Sequence, residues 1–478
     1  MSVFRQLLVL IAGAMLLANI GCRQAARQNG LVLVQTPVAA TQPAADMLDA
    51  RYPNGSRVLF MDQTADPKTE MVLSQGLVAA GDPVVSYDGC AVYFVGKETP
   101  ESDWQIYRGN LSGDLPKPVT SMPGGAMHPA LLPTGSLVFI SPVPKMHPGQ
   151  PQNRLPAIYL RAANGSPSQL SFGARAVSDL TILADGRILF VQAPSNEAGS
   201  ASAGPALFTI NSDGTEITAF AGALTAGSRI EHPRLLADGR VAFIHAASND
   251  LSTRGVAECV SLSRPFQSLA PLFSGELALV SSVEPALGTN LLICAANTAD
   301  SSHRLALFQV EPAATVLAKP ILTDPQWNIC EAVEAVARPR PMGRLSTMDP
   351  QKQTGKILCL NANFSGDQSM GGQSLATHVR LTARTASGTT VVLGEAPVQA
   401  DGSFLAEVPT DVPLGFETLD ANNHVLHRQP PVIWLRPAEN RSCIGCHEPP
   451  NRAPHNARPL ALNFPITSLN LPAGTTPP

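Results

Sequence analysis

The chain has 478 residues, 44% of them hydrophobic and 15% charged, enough for two or three packed domains. A net charge of −4 and a pI near 6.2 give no polybasic surface, which argues against nucleic acid and anionic lipid as electrostatic partners. With 43 prolines, 37 glycines and few helical runs, the composition points to a turn-rich all-β protein.

After Arg5 and Gln6 comes "LLVLIAGAMLLANIG", a mostly apolar stretch, and then Cys22. It has the length and flanks of a signal-peptide core and is too short for a spanning helix. The "NIGC" ending resembles a bacterial lipobox, in which the cysteine is lipidated. Gly21 fits that pattern, while Asn19 stands where leucine is preferred. The reading is a signal peptide over 1–22 and an exported, periplasmic lipoprotein that meets the membrane only through a lipid on Cys22. Plain secretion is the main alternative, and a retained anchor the lesser one.

A repeat then runs through two-thirds of the chain. "YPNGSRVLFM", "SYDGCAVYFV", "LPTGSLVFIS", "LADGRILFVQ", "LADGRVAFIH" and "PALGTNLLIC" each place a glycine before a short apolar strand, at Gly55, Gly89, Gly135, Gly186, Gly239 and Gly288. The spacings are 34, 46, 51, 53 and 49, all but the first near the period of a four-stranded propeller blade. Asp-Gly between apolar runs supports a tight hairpin turn, because glycine accepts positive φ. Weaker units such as "IYRGNLSGDLPKPVT", "IYLRAANGSPSQLS" and "LFTINSDGTEITAF" read as outer hairpins of the same blades. The expectation is a six-bladed β-propeller over 31–337, with "LVLVQTP" as the strand that closes the ring. A pair of β-sandwiches with coincidental spacing is the competing fold. The phrasing of "HPRLLADGRVAFIH" resembles the TolB-like propeller repeat. His128 and His232 hold equivalent places before a proline in two repeats and are expected to be structural residues at a blade edge.

Residues 338–354 are rich in proline and arginine, lack either hydrophobic period and read as a linker. Short strands resume over 355–437, including the Asp-Gly hairpin "VQADGSFLAEVP", and indicate a small antiparallel β-sandwich-like domain. Residues 438–478 hold "RSCIGCHEPP" and a tail rich in proline and asparagine, expected to wrap irregularly around a cofactor.

Cys443-x-x-Cys446-His447 has the attachment spacing of c-type haem. Two thioethers would fix the porphyrin, and His447 would reach the iron from one side. A zinc site would want two further ligands at recognisable spacing, and a thioredoxin-like site would want a βαβ setting; neither occurs. Setting aside Cys22, Cys443 and Cys446, five cysteines remain: Cys90, Cys259, Cys294, Cys330 and Cys359. An odd number does not make a disulfide scaffold. Candidates for the sixth iron position are His455, the nearest in sequence, and His424 and His427 from the sandwich. Trp434 is placed to pack on a porphyrin, and Arg436 and Arg441 to pair with propionates, although core and solvated surface are their ordinary uses.

"LGEAPVQADGSFLAEVPTDVPLGFETLDANNHVL" followed by "VIWLRPAENRSCIGCHEPPNRAPHNARPLAL" resembles the middle domain of the hydrazine synthase alpha family, over about 352–462. The resemblance implies a preceding propeller, haem attachment at Cys443 and Cys446, and a motif histidine at His447. The family enzyme uses a tyrosine four residues after that histidine as an iron ligand; Asn451 stands there in this sequence. It also relays electrons through further haems, whereas this sequence has one motif, so a catalytic subunit related to hydrazine synthase, borrowing electrons from a partner cytochrome, is the least favoured reading. The functional expectation is a monohaem c-type cytochrome-like protein for electron transfer or small-molecule redox chemistry. A redox-partner cytochrome or a membrane electron carrier would serve it. The alternative is a propeller that binds protein or a small ligand and carries a structural or sensory haem.

Overall fold

The structure, a computed structural model, describes residues 30–38, 47–64, 69–142, 155–163, 165–194, 204–222, 224–248, 250, 255–273, 279–296, 304–311, 319–364, 375–386, 388–445 and 457–475. The expected signal peptide, including Cys22, lies outside these residues.

Among the described residues, the first 337 positions form six antiparallel sheets arranged in sequence, the blades of a propeller. Their innermost strands are Ala79–Val85, Met127–Leu131, Val177–Ile182, Arg229–Leu235, Leu279–Pro285 and Trp327–Glu334. Second strands such as Ile188–Gln192 and Leu291–Ala296 are buried throughout, so they read as continuous apolar runs rather than alternating ones. Each is covered on both faces by neighbouring blades. The fifth blade has three strands, and a bridge from Leu307 to Leu322 extends its outer edge.

The ring closes as expected: Gly30–Pro37 lies between Trp327–Glu334 and Arg57–Asp62, joining the two ends of the propeller sequence in one sheet. This closure corrects one part of the repeat reading. Gly89, Gly135, Gly186, Gly239 and Gly288 all have positive φ between an innermost and a second strand. Gly55 also has positive φ, but it leads into the third strand of the closing blade. The turn it was matched to cannot exist, because there the innermost strand comes from the far end of the sequence. That explains the short first spacing.

Residues 338–346 form no strand, in keeping with a linker, yet they are tied down across one face of the ring. The Arg338 amide donates to Tyr87 O at 2.9 Å and the Met342 amide to Ala184 O at 3.0 Å. Arg340 Nη1 donates to Pro133 O at 3.1 Å, and Ser346 Oγ to Asp213 Oδ2 at 2.6 Å.

The sandwich has two four-stranded sheets, extends past 437 and is not wholly antiparallel. One sheet has the order Thr390–Pro397, His378–Arg384, Leu414–Leu419, Val425–Ile433, all antiparallel. The other has Asn440–Cys443, Thr354–Cys359, Phe404–Pro409, Thr467–Ser468, and both of its edge strands pair in parallel. Ile357, Leu381, Phe404 and Leu414 fill the space between the sheets. The described tail, 457–475, belongs to this core: Leu469 is buried in it, and its amide donates to Glu407 O at 2.8 Å. The expectation of an irregular wrap is therefore replaced, over these residues, by a docked edge.

Candidate functional site

Cys443 is the last residue of a strand that pairs in register with Thr354–Cys359, bringing Cys443 beside Cys359. The partner is fully buried in the sandwich core, while Cys443 is half-buried at its margin. The backbone is guided beyond the strand end: Leu360 N–H donates to Cys443 O at 2.9 Å and Asn361 N–H to Ile444 O at 3.2 Å. Gly445 then crosses the Asn361–Phe364 turn so closely that a Cβ there would stand 2.2 Å from Phe364 O. Only glycine can make that approach. Cys446, His447, Asn451 and His455 lie outside the described residues.

The turn beneath Gly445 is shaped by Asp401-Gly402-Ser403. Gly402 has φ +85°, and a Cβ on it would fall 2.0 Å from Asn361 Oδ1. Its carbonyl accepts from Ala362 N–H at 2.8 Å. Asp401 Oδ1 accepts from the Ser403 amide at 2.9 Å and hydroxyl at 2.6 Å, and Asp401 Oδ2 accepts from Leu460 N–H at 2.7 Å. Ser403 Oγ in turn accepts from Ala461 N–H at 2.9 Å. Burial pushes the Asp401 carboxyl upward, but the donors at Leu460 and Ser403 outweigh it and hold the group below its ordinary value. One platform thus clamps both flanks of 446–456, Gly445 on one side and Leu460–Ala461 on the other. Sequence reasoning recognised "DGSF" as a turn but assigned no part to Asn361, Gly402 or Gly445.

Trp434, Arg436 and Arg441, considered above as haem neighbours, are engaged with the propeller. The Trp434 indole is 1% exposed and its Nε1–H donates to Gly214 O at 3.0 Å. Arg436 lies 4.9 Å over the Phe172 ring, donates to Asp213 O at 3.2 Å and pairs with Asp411 at 2.7 Å. Arg441 donates to Ile217 O. Between them, Glu439 accepts the amides of Glu216 at 2.9 Å and Arg436 at 2.8 Å. Burial pushes its carboxyl above the ordinary range despite those two donors. The Asn440–Cys443 strand is therefore anchored on the outer hairpin of the third blade. His424 is exposed on a turn, its Nδ1 3.1 Å from Asp420 Oδ2, and His427 faces Thr418 in the register of the other sheet.

Residues 347–448 match the family model of the hydrazine synthase alpha subunit middle domain. Hydrazine synthase from Kuenenia stuttgartiensis is similar in structure, with a TM-score of 0.76 and 17% identity over 91% of this chain and 71% of that one. TolB from Acinetobacter baumannii aligns with a TM-score of 0.44 and 16% identity, over 64% of this chain and 67% of that one. No curated protein sequence matches. The matched segment contains the DGSF platform and the Cys443–His447 motif together. Residues 347–448 thus match the hydrazine synthase alpha subunit middle domain, and they follow a six-bladed propeller.

Proposed function

We propose that this is an exported protein carrying one covalent haem c on Cys443 and Cys446, with His447 as iron ligand, for electron transfer or small-molecule redox chemistry. The observation that carries the reading is the presentation of Cys443: a half-buried thiol at the end of a strand, followed by a glycine locked against the Asn361–Phe364 turn. That arrangement fits a covalent cofactor, because thioether formation needs an accessible sulfur on a backbone that does not drift. When bound, the haem supplies one-electron chemistry, with its potential set by axial ligation and burial. The chain's own contribution is to fix the two flanks of the attachment segment on one platform and to hold that platform rigidly on the third blade. A redox-partner cytochrome or membrane carrier would exchange the electron, and Cys22 would tether the protein as a lipoprotein. Hydrazine synthesis is not part of the proposal, because Asn451 stands where the family has its iron-ligating tyrosine.

An optical spectrum of reduced protein, taken with and without CO, tests this reading. It should be obtained from a host that matures c-type cytochromes. A c-type spectrum indifferent to CO assigns electron transfer, and one shifted by CO assigns ligand or substrate chemistry. Protein without a c-type spectrum overturns the proposal.

A further inference from the structure

The innermost strands share an irregularity that the haem reading does not use. Their pairing slips at one register in every blade, at Asp82, His128, Asp179, His232, Ser281 and Cys330. Asp82, His128, Asp179 and His232 take positive φ of 52°, 52°, 45° and 49° there. Such a bulge re-aims a side chain, and here it turns them toward the propeller axis rather than the blade edge expected for His128 and His232. His128 Nδ1 lies 3.0 Å from Asp82 Oδ2 and 3.9 Å from Asp179 Oδ1. His232 Nε2 lies 3.5 Å from Glu331 Oε1, and its amide donates to Asp179 Oδ1 at 3.0 Å. Five blades therefore meet at one point.

Both ends of this channel are furnished. The helix Met47–Arg51 plugs one end, with Arg51 3.4 Å from Asp179 and 3.3 Å from Glu231, and Tyr52 donating to Glu331. At the other end, Arg234 joins Glu284 at 2.5 Å and reaches Asp82 at 4.0 Å. Above them a cleft of about 590 Å³ opens beneath the Arg338–Met342 strap and offers an entry path.

Asp82, His232 and Glu331 each place a ligand atom within 4.8 Å of the other two, and all three residues are buried. Among the described residues, His232 Nε2 has no hydrogen-bond partner, and neither does Asp179 Oδ2. Five carboxylates (Asp82, Asp179, Glu231, Glu284 and Glu331) face three guanidiniums, Arg51, Arg229 and Arg234, with His128 between Asp82 and Asp179. Arg338, at the mouth, acts on Glu284 from farther out. The centre thus holds an unsatisfied buried imidazole, which is costly in a dry interior.

We propose that this centre binds one divalent first-row metal ion through Asp82, His232 and Glu331, with His128 positioning the Asp82 carboxylate. One imidazole with two carboxylates suits Zn²⁺ or Mn²⁺ better than Ca²⁺ or Mg²⁺. Ligand atoms about 2.0–2.2 Å from zinc stand roughly 3.4 Å apart, so the three side chains need to close only modestly.

The test uses the full-length chain carrying Cys443→Ala/Cys446→Ala, so that neither haem nor motif thiols contribute. Chelator-stripped protein is titrated with ZnCl₂ and MnCl₂ by calorimetry, with circular dichroism to check folding. One ion per chain is expected, with binding lost in His232→Gln and Asp82→Asn and weakened about 10–100-fold in His128→Gln. No stoichiometric binding, or binding unchanged in His232→Gln, overturns the proposal. If those variants do not fold, the Co²⁺ derivative of the parent chain decides: ligand-field bands without thiolate charge transfer support it. A thiolate band, or no bands, refutes it.

Discussion

Trp434 joins the sandwich to the third blade, so Trp434→Ala should loosen the sandwich from the propeller. A buried tryptophan covers about 150–250 Å², and at about 25 cal/mol per Å² its removal forfeits roughly 4–6 kcal/mol. That figure is an upper bound, because the unfolded chain already hides part of this surface. Loss of the Nε1–H bond leaves Gly214 O without its donor, adding about 1 kcal/mol, while partial collapse around Phe172 and Ile217 recovers some. The net expectation is a destabilisation of about 3–5 kcal/mol. Trp434→Phe, which keeps most of the area and loses the donor, should fall near 1–2 kcal/mol, at about the net value of one hydrogen bond plus lost packing. Urea unfolding followed by far-UV circular dichroism reads both, and the alanine variant should show the sandwich melting ahead of the propeller. A single transition moved by less than about 1 kcal/mol, below the usual range for such truncations, would refute the role given to this residue.

Gly445→Ala forces a Cβ to within 2.2 Å of Phe364 O; overpacking of this kind costs about 1–3 kcal/mol, and the yield of covalent haem should drop while propeller melting stays unchanged. Asp401 is held below its ordinary value of 3.8, so the stability it adds to tail docking is present above that pH and lost as pH falls through the lowered value. Hydrogen exchange at the Leu460 amide should accelerate across that window, and Asp401→Asn should show the fast rate at neutral pH. His447→Ala should change the Soret band and spin state, while Asn451→Ala leaves both nearly unaltered. The reverse pattern would mean that ligation through the family's tyrosine position persists with asparagine.

The propeller was legible because its turns impose a local rule: five glycines sit where positive φ is required between an innermost and a second strand. Gly55 misled because closure depends on Trp327–Glu334 pairing with Gly30–Pro37, a contact no local pattern encodes. The tail carries no hydrophobic period, since Leu469 and Leu471, two register pairs along Phe404–Pro409 and the Leu460 and Ala461 amides on Asp401 and Ser403 dock it. His128 and His232 were recognised as equivalent, and the recurring Asp-Pro and His-Pro at 82–83, 128–129 and 232–233 was present in the sequence. What was missing was the left-handed bulge that turns these side chains inward. Around Cys443–His447 the motif was plain, but its supports were not, because Asn361, Gly402 and Gly445 act through close approach rather than through reactive groups.

The most direct test of the central claim is whether haem survives denaturation of the protein. Full-length chain from a host competent in cytochrome c maturation is run on a denaturing gel beside Cys443→Ala/Cys446→Ala and stained for haem peroxidase activity. The account predicts a stained band for the unsubstituted chain, at one haem per polypeptide, and none for the double variant. An unstained band for the unsubstituted chain, or equal staining of the two, would contradict it.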